Sequence, residues 1–231
     1  MANHEPVSKT MTKGGGLSFV IVAILHIVSI PLAVASSSIL APSSQLTAIQ
    51  VLPGLSLAYG TFVGTVILLE LFAIVAFAIL YFVLRRVNQF AALAGVMLVL
   101  AGIIVVLAGS LPMRYAQINM ANYYASATSD AQRTGFLAAY QLAFDLSNIT
   151  ALIELVMDAI GFFLIGYAMV KSGGLFSRPV SYLALLSGVL ITVTVLVSWI
   201  PAAFGVMFVI ISLVLAAFGG LTGMRLYKMS S

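Results

Sequence analysis

Charged side chains are scarce in this chain. Of its 231 residues only 10 are Lys or Arg and 6 are Asp or Glu, so 7% of the chain is charged and 62% is hydrophobic. A soluble domain carries about 25% charged residues and avoids large exposed apolar patches. The scarcity of charge therefore excludes a soluble globular protein and predicts a multi-pass protein whose main partner is the lipid bilayer.

Cysteine is absent and histidine occurs only twice. Without Cys there is no disulfide, thiolate nucleophile or thiolate metal site. Haem held by two histidines needs a second intramembrane His besides His26, and a zinc hydrolase needs three good ligands. The chain also lacks a P-loop, a Gly-x-Ser-x-Gly motif and an intramembrane Lys for a Schiff base. Enzyme activity is therefore the class that the sequence favours least, and we predict no metal and no cofactor.

The formal net charge of +4 does not indicate nucleic acid. Nucleic-acid binding needs Lys and Arg clustered on one face. Here the cations stand in pairs between apolar runs, so we predict no nucleic-acid partner.

Long apolar runs are abundant. A bilayer core of about 30 Å needs about 20 apolar residues in a helix. Runs of this length lie approximately at residues 17–39, 57–84, 90–112, 147–170, 180–199 and 202–224. The last two are separated by a reversal at Pro201 and Gly205. The sequence thus predicts an all-α bundle of six spans forming one membrane domain over residues 1–231, with its longest connection as an outer loop at 113–146.

Two features of this layout leave alternatives open. Lys9 and Lys13 ahead of the first run, with "AVA" at 33–35, are also typical of a cleaved signal peptide, although the apolar run continues past that site. In the outer loop, "TGFLAAYQLAF" has apolar residues at helical spacing. That spacing fits a surface helix, an outward extension of the fourth span, or a simple interfacial lead-in.

The distribution of cations predicts the orientation. One side of a six-span protein receives eight of them: Lys9, Lys13, Arg85, Arg86, Lys171, Arg178, Arg225 and Lys228. The other side receives Arg114 and Arg133. Since cytoplasmic loops are enriched in Lys and Arg, we expect both termini in the cytoplasm and the protein in the cell membrane. Tyr59 and Trp199 then fall at outer span ends, where interfacial aromatic residues are common.

Small residues mark the expected helix contacts. The third span repeats "AG" at 94–95, 101–102 and 108–109, a spacing of seven residues that predicts a left-handed packing seam. Gly60 with Gly64, and Gly219 with Gly223, are small-xxx-small pairs. We interpret all of these as contacts within one chain, with contact between copies as the alternative.

A polar stripe runs along the fourth span in "SNITALIELVMDAIG". At 100° per residue, Ser147, Thr150, Asp158 and Gly161 fall within about 40° of Glu154. An ionisable residue near the bilayer centre costs about 2.5–3.5 kcal/mol, so this stripe should face the bundle or a cavity.

Four ionisable residues are predicted near one depth. Along the helix axis, Glu70, Glu154 and Asp158 are expected to lie about 20–25 Å from the cations at the cytoplasmic ends of their spans. His26 is expected somewhat closer to the cytoplasmic side. Because we predict no Lys or Arg in the hydrocarbon core, His26 is the only expected cationic partner. We therefore expect the acids to hold protons much of the time.

Two functions fit this cluster. The first is a proton- or cation-linked carrier of a small solute, in which Glu154 and Asp158 bind the ion, Glu70 shares the site, and His26 is a further candidate. The second is a non-catalytic membrane subunit or scaffold in which the same acids only hold helices together. The sequence indicates no particular solute or protein partner.

Two loops resemble those of a bacterial family. "YFVLRRVNQFAALAG" at 81–95 and "VKSGGLFSRPVSYLALLSG" at 170–188 resemble the corresponding segments of the six-helix membrane proteins catalogued as domain of unknown function 4386. The resemblance implies six spans and a chain of this length. It implies no activity and no site residues.

Overall fold

The computed structural model describes residues 8–40, 42, 44–198 and 200–230, and these residues form α-helices, one π-helical turn and short connections. The elements are α1 Lys9–Ala35, α2 Ser37–Leu40, α3 Gln45–Leu84, α4 Gln89–Val105, the π turn Val106–Ser110, α5 Leu111–Ser126, α6 Asp130–Val170, α7 Arg178–Val197 and α8 Pro201–Lys228. No strand occurs in this described part, so the all-α prediction is confirmed.

Six helical stretches among the described residues are long and apolar enough to cross a membrane. They are Lys9–Ala35, Gln45–Leu84, Gln89–Ser126, Asp130–Val170, Arg178–Val197 and Gly205–Lys228. Each overlaps one predicted span, so the chain has the architecture of a multi-pass membrane protein.

Polar residues between the apolar runs begin the helices. The side chains of Ser44, Asn88 and Ser129 each accept a hydrogen bond from a backbone N–H in the first turn of α3, α4 and α6, which satisfies donors that a helix start leaves unpaired. Pro201 opens α8, where its missing N–H costs nothing. Gly205 lies inside α8, so the prediction that it belongs to the reversal is wrong.

The segment 113–146, predicted as an outer loop, is helical except for residues 127–129. The third span continues from α4 through the π turn into α5, and α6 begins at Asp130. A helix of 41 residues such as α6 measures about 60 Å, twice the thickness of a bilayer core. The third and fourth spans therefore extend well past the lengths that hydropathy alone indicated. The second span does so too, because α3 begins at Gln45 and not near residue 57 as predicted.

The six long helices pack in chain order as a closed ring, with α1 beside α3 and α8 closing back onto α1. Neighbours are antiparallel: Gly16 near the start of α1 meets Gly223 near the end of α8, and Gly95 near the start of α4 meets Gly161 in the second half of α6. Because the helices run up and down in turn, the middles of all six spans lie at a similar depth around the ring.

The glycine seam of the third span packs against α6. A Cβ on Gly95 would lie 2.9 Å from the Gly161 carbonyl oxygen, and one on Gly109 would lie 2.7 Å from Thr150 Cγ2. The predicted contact within the chain is thus confirmed for this seam. It is wrong for Gly64, where a Cβ would meet nothing within 4 Å.

Candidate functional site

A cavity of about 220 Å³ lies at the centre of the ring, and all six membrane-crossing helices contribute to its wall. An engineered protein cavity of about 150 Å³ holds benzene. The central cavity is therefore large enough for a small organic molecule.

All four ionisable residues predicted from the sequence line this cavity. His26 comes from α1, Glu70 from α3, and Glu154 and Asp158 from α6. The structure thus brings together side chains that are up to 132 positions apart in the chain. Their role in binding an ion stays a prediction.

The polar stripe of α6 faces both the cavity and the glycine seam. Asp158 Oδ1 lies 3.1 Å from the position that a Cβ on Gly102 would occupy, and Glu154 Cγ lies 3.4 Å from the same point. The missing side chain at Gly102 leaves room for both acids between α4 and α6. A larger residue there would compete with Asp158 for that space.

The carboxyls lack the partners that a structural cluster would supply. Asp158 Oδ1 is buried without a hydrogen-bond partner, and Glu70 is only 8% exposed. No cation in the described part of the chain lies within 4.0 Å of the three acids. A buried polar group without a partner is costly, which makes these atoms candidates for binding something the chain does not itself provide.

Arg114 also lines the cavity, and the prediction that His26 is the acids' only cationic partner is therefore wrong. Arg114 lies in α5 within the third membrane-crossing stretch. Its guanidinium donates to Ser110 Oγ at 3.3 Å through Nε and to Tyr59 Oη at 3.4 Å through Nη1. The Arg114 guanidinium attracts the Glu154 carboxylate, whereas the carboxylates of Glu70 and Asp158 repel the Glu154 carboxylate.

A buried hydrogen-bonded chain continues from Arg114 across three helices. Tyr59 Oη on α3 donates to Gln117 Oε1 at 3.0 Å, and Gln117 Nε2 on α5 donates to Ser147 Oγ on α6 at 3.3 Å. Tyr59 is fully buried, so its prediction as an interfacial residue is wrong. Trp199, predicted for the same role, lies outside the described residues. The spacing of Ser110, Arg114 and Gln117 on one helical face was the signal that could have revealed this chain of bonds.

Four phenylalanine rings form a closed set on the other side of the acids. Phe19, Phe77, Phe162 and Phe218 come from α1, α3, α6 and α8, and all four line the cavity. Successive rings meet edge to face at centroid distances of 5.3, 5.7, 5.6 and 6.0 Å. Phe77 lies seven residues after Glu70, and Phe162 four after Asp158, both toward the end of the bundle that carries the termini. The acids therefore lie between an apolar aromatic layer and the polar chain at Arg114.

No group of three His, Asp or Glu side chains among the described residues is close enough to hold one metal ion. The three carboxyls therefore do not form a compact coordination site.

The chain matches no protein-family model, no curated protein and no solved structure. The resemblance of its two loops to a six-helix family accordingly stays a prediction.

Proposed function

We propose that the protein is a proton- or cation-linked carrier of a small solute in the cell membrane. Glu154 and Asp158 bind the ion and Glu70 shares the site. One observation carries this proposal: three carboxyls from two helices line a central cavity of about 220 Å³ to which all six spans contribute.

Intramembrane acids are expensive and are typical of ion and proton pathways. A central site at the meeting point of all spans is also where a carrier needs it, because small helix movements can then open the cavity to either side. The aromatic layer at Phe77 lies on one side of the acids and the polar chain at Arg114 lies on the other, where openings toward the two membrane surfaces would form. Both features support a carrier.

The alternative is a scaffold whose acids hold helices together. In that case the carboxyls would be expected to hydrogen-bond one another or a neighbouring helix. Asp158 Oδ1 instead has no partner, and the helix contact at this level is made by glycine. The geometry therefore favours the carrier over the scaffold.

Asp158→Asn and Glu154→Gln are expected to lower cation-driven proton movement about tenfold or more, because each removes a proton-binding group from the site. The measurement uses proteoliposomes loaded with a pH-sensitive dye and an acidic interior, to which sodium, potassium or phenyltrimethylammonium chloride is added outside. Asp145→Asn is the matched control, since Asp145 is an exposed acid on the same helix and does not line the cavity.

If the protein is a scaffold, the same variants should affect stability and not proton movement. If both variants leave the dye signal intact while lowering the melting temperature in detergent, the acids are structural and the carrier proposal fails.

The proposed orientation, with both termini in the cytoplasm, has its own test. The chain contains no cysteine, so single cysteines can be introduced without a background. Gln50→Cys near the start of α3 should react with a membrane-impermeant maleimide in intact cells. Ser177→Cys before α7 should react only in opened or inverted membranes. Both residues are exposed, so labelling of both from one side would disprove this topology.

We also propose, on the two loop motifs alone, that the chain belongs to the six-helix family of domain of unknown function 4386. Membership would support the architecture and would add nothing to the assignment of the acids.

A further inference from the structure

We propose that the solute is a small organic cation with an apolar body, such as a quaternary or aromatic amine, held among the carboxyls of the central cavity. This inference rests on the proposed carrier function and names the class of its solute. It follows from the charge, the wall chemistry and the spacing of the acids.

The charge of the lining calls for a cation. Three carboxyls and one guanidinium line the cavity, so a fully ionised lining with neutral His26 has two uncompensated negative charges. Charges that line an apolar cavity inside a membrane bundle are costly unless they are neutralised. Protons can neutralise both, or a proton and one organic monocation can do so. Entry of the cation would then release a proton.

Two of the acids are available for a ligand. Glu70 is more than nine-tenths buried yet lines the cavity, and it has no hydrogen-bond partner among the described residues. Asp158 Oδ1 is likewise buried and unpartnered. Glu70 on α3 and Asp158 on α6 line the same cavity, so a single cation can interact with both carboxylates.

The walls favour an apolar body over a bare metal ion. Besides the four-ring layer, Phe62 and Phe208 line the cavity, and their rings meet at 6.1 Å. Aromatic faces attract organic cations and need no directional hydrogen bond to do so. An inorganic cation wants several oxygen ligands at close range, whereas no three acidic or histidine side chains in the described part converge on one point. The cavity thus fits a diffuse positive charge on a molecule somewhat larger than benzene.

The test compares two molecules of nearly equal shape. Phenyltrimethylammonium carries a positive charge, and tert-butylbenzene replaces its nitrogen with carbon. We expect phenyltrimethylammonium to raise the melting temperature of the purified protein in nanodiscs and to release protons into weakly buffered solution. Its affinity should exceed that of tert-butylbenzene about tenfold or more. Glu70→Gln and Asp158→Asn should each weaken cation binding, and Asp145→Asn should not.

Several results would overturn the inference. They are equal binding of the two isosteres, cation binding that ignores both acid variants, or preferential binding of benzoate, which would indicate a site governed by Arg114. If an acid variant fails to fold, the comparison of phenyltrimethylammonium with tert-butylbenzene on the wild-type protein still shows whether binding requires a positive charge.

The vesicle experiment separates this inference from the carrier proposal. A pH change driven by sodium or potassium without binding of phenyltrimethylammonium leaves the carrier in place and overturns the organic cation. Binding of phenyltrimethylammonium without any driven pH change supports the cation site and overturns the carrier.

Discussion

Arg114→Gln is expected to destabilise the protein by about 3 kcal/mol, because it removes the guanidinium that lines the cavity with three carboxyls, its hydrogen bond to Tyr59 on α3 and its hydrogen bond to Ser110 one turn earlier. Tyr59 Oη would keep its bond to Gln117, so the rest of the polar chain should persist. The measurement is unfolding in mixed micelles with increasing sodium dodecyl sulfate. Arg133→Gln is the control, since Arg133 lies on the surface, where it pairs with the exposed Asp130 at 3.8 Å and donates to the Ala127 carbonyl oxygen at 3.4 Å. Loss of these surface contacts should cost less than about 0.5 kcal/mol.

A double-mutant cycle identifies the cause. Glu154 is the acid that Arg114 attracts, so adding Glu154→Gln to Arg114→Gln should restore about 0.5–3 kcal/mol relative to the sum of the single effects. The pair Arg133→Gln and Glu154→Gln should be additive. Additivity in the first pair as well would mean that the Arg114 charge does not act on Glu154, and the destabilisation would then come from the lost hydrogen bonds alone.

Gly161→Ala is expected to cost about 1–3 kcal/mol, because the added Cβ would lie 2.7 Å from Val99 Cγ2 and 2.9 Å from the Gly95 carbonyl oxygen. A backbone oxygen cannot move aside as a flexible side chain can, so α4 and α6 must separate. Separation would also shift Asp158, which lies one turn away. We therefore expect lower proton movement in vesicles as well as lower stability in the micelle titration.

The matched control lies on the same helix. A Cβ on Gly135 would meet nothing within 4 Å, so Gly135→Ala should be neutral or gain up to about 1 kcal/mol from helix propensity. If Gly161→Ala and Gly135→Ala behave alike, close approach of α4 and α6 is not what holds this part of the bundle.

The helical layout could be predicted from local pattern alone. Apolar runs of membrane-spanning length, with Asn88 and Pro201 at helix starts, indicate each span without reference to any other part of the chain. The seven-residue repeat of glycine in the third span likewise indicated a packing seam. The repeat could not indicate which helix packs against the seam, because a small residue allows close approach of any neighbouring helix.

The ends of the long helices could not be predicted in this way. Arg114 and Gln117 are polar, and hydropathy therefore places them in a loop. In the structure both lie within α5, where Arg114 faces the cavity and Gln117 bonds to two neighbouring helices. A polar residue on an inward helical face and one in a loop look identical to a window average. Only the arrangement of α3, α5 and α6 distinguishes them.

The sequence by itself determined that the chain is a helical membrane protein and that its few intramembrane acids need protons, partners or a cavity, since an uncompensated charge in lipid is costly. It also placed Glu154 and Asp158 on one helical face, because the helix period is a local property. Only the tertiary structure decided that Glu70, His26 and Arg114 meet that face across one cavity, and that glycine at residue 102 makes room for it. The rotation of each helix about its own axis depends on contacts with all its neighbours at once, and no single segment encodes it.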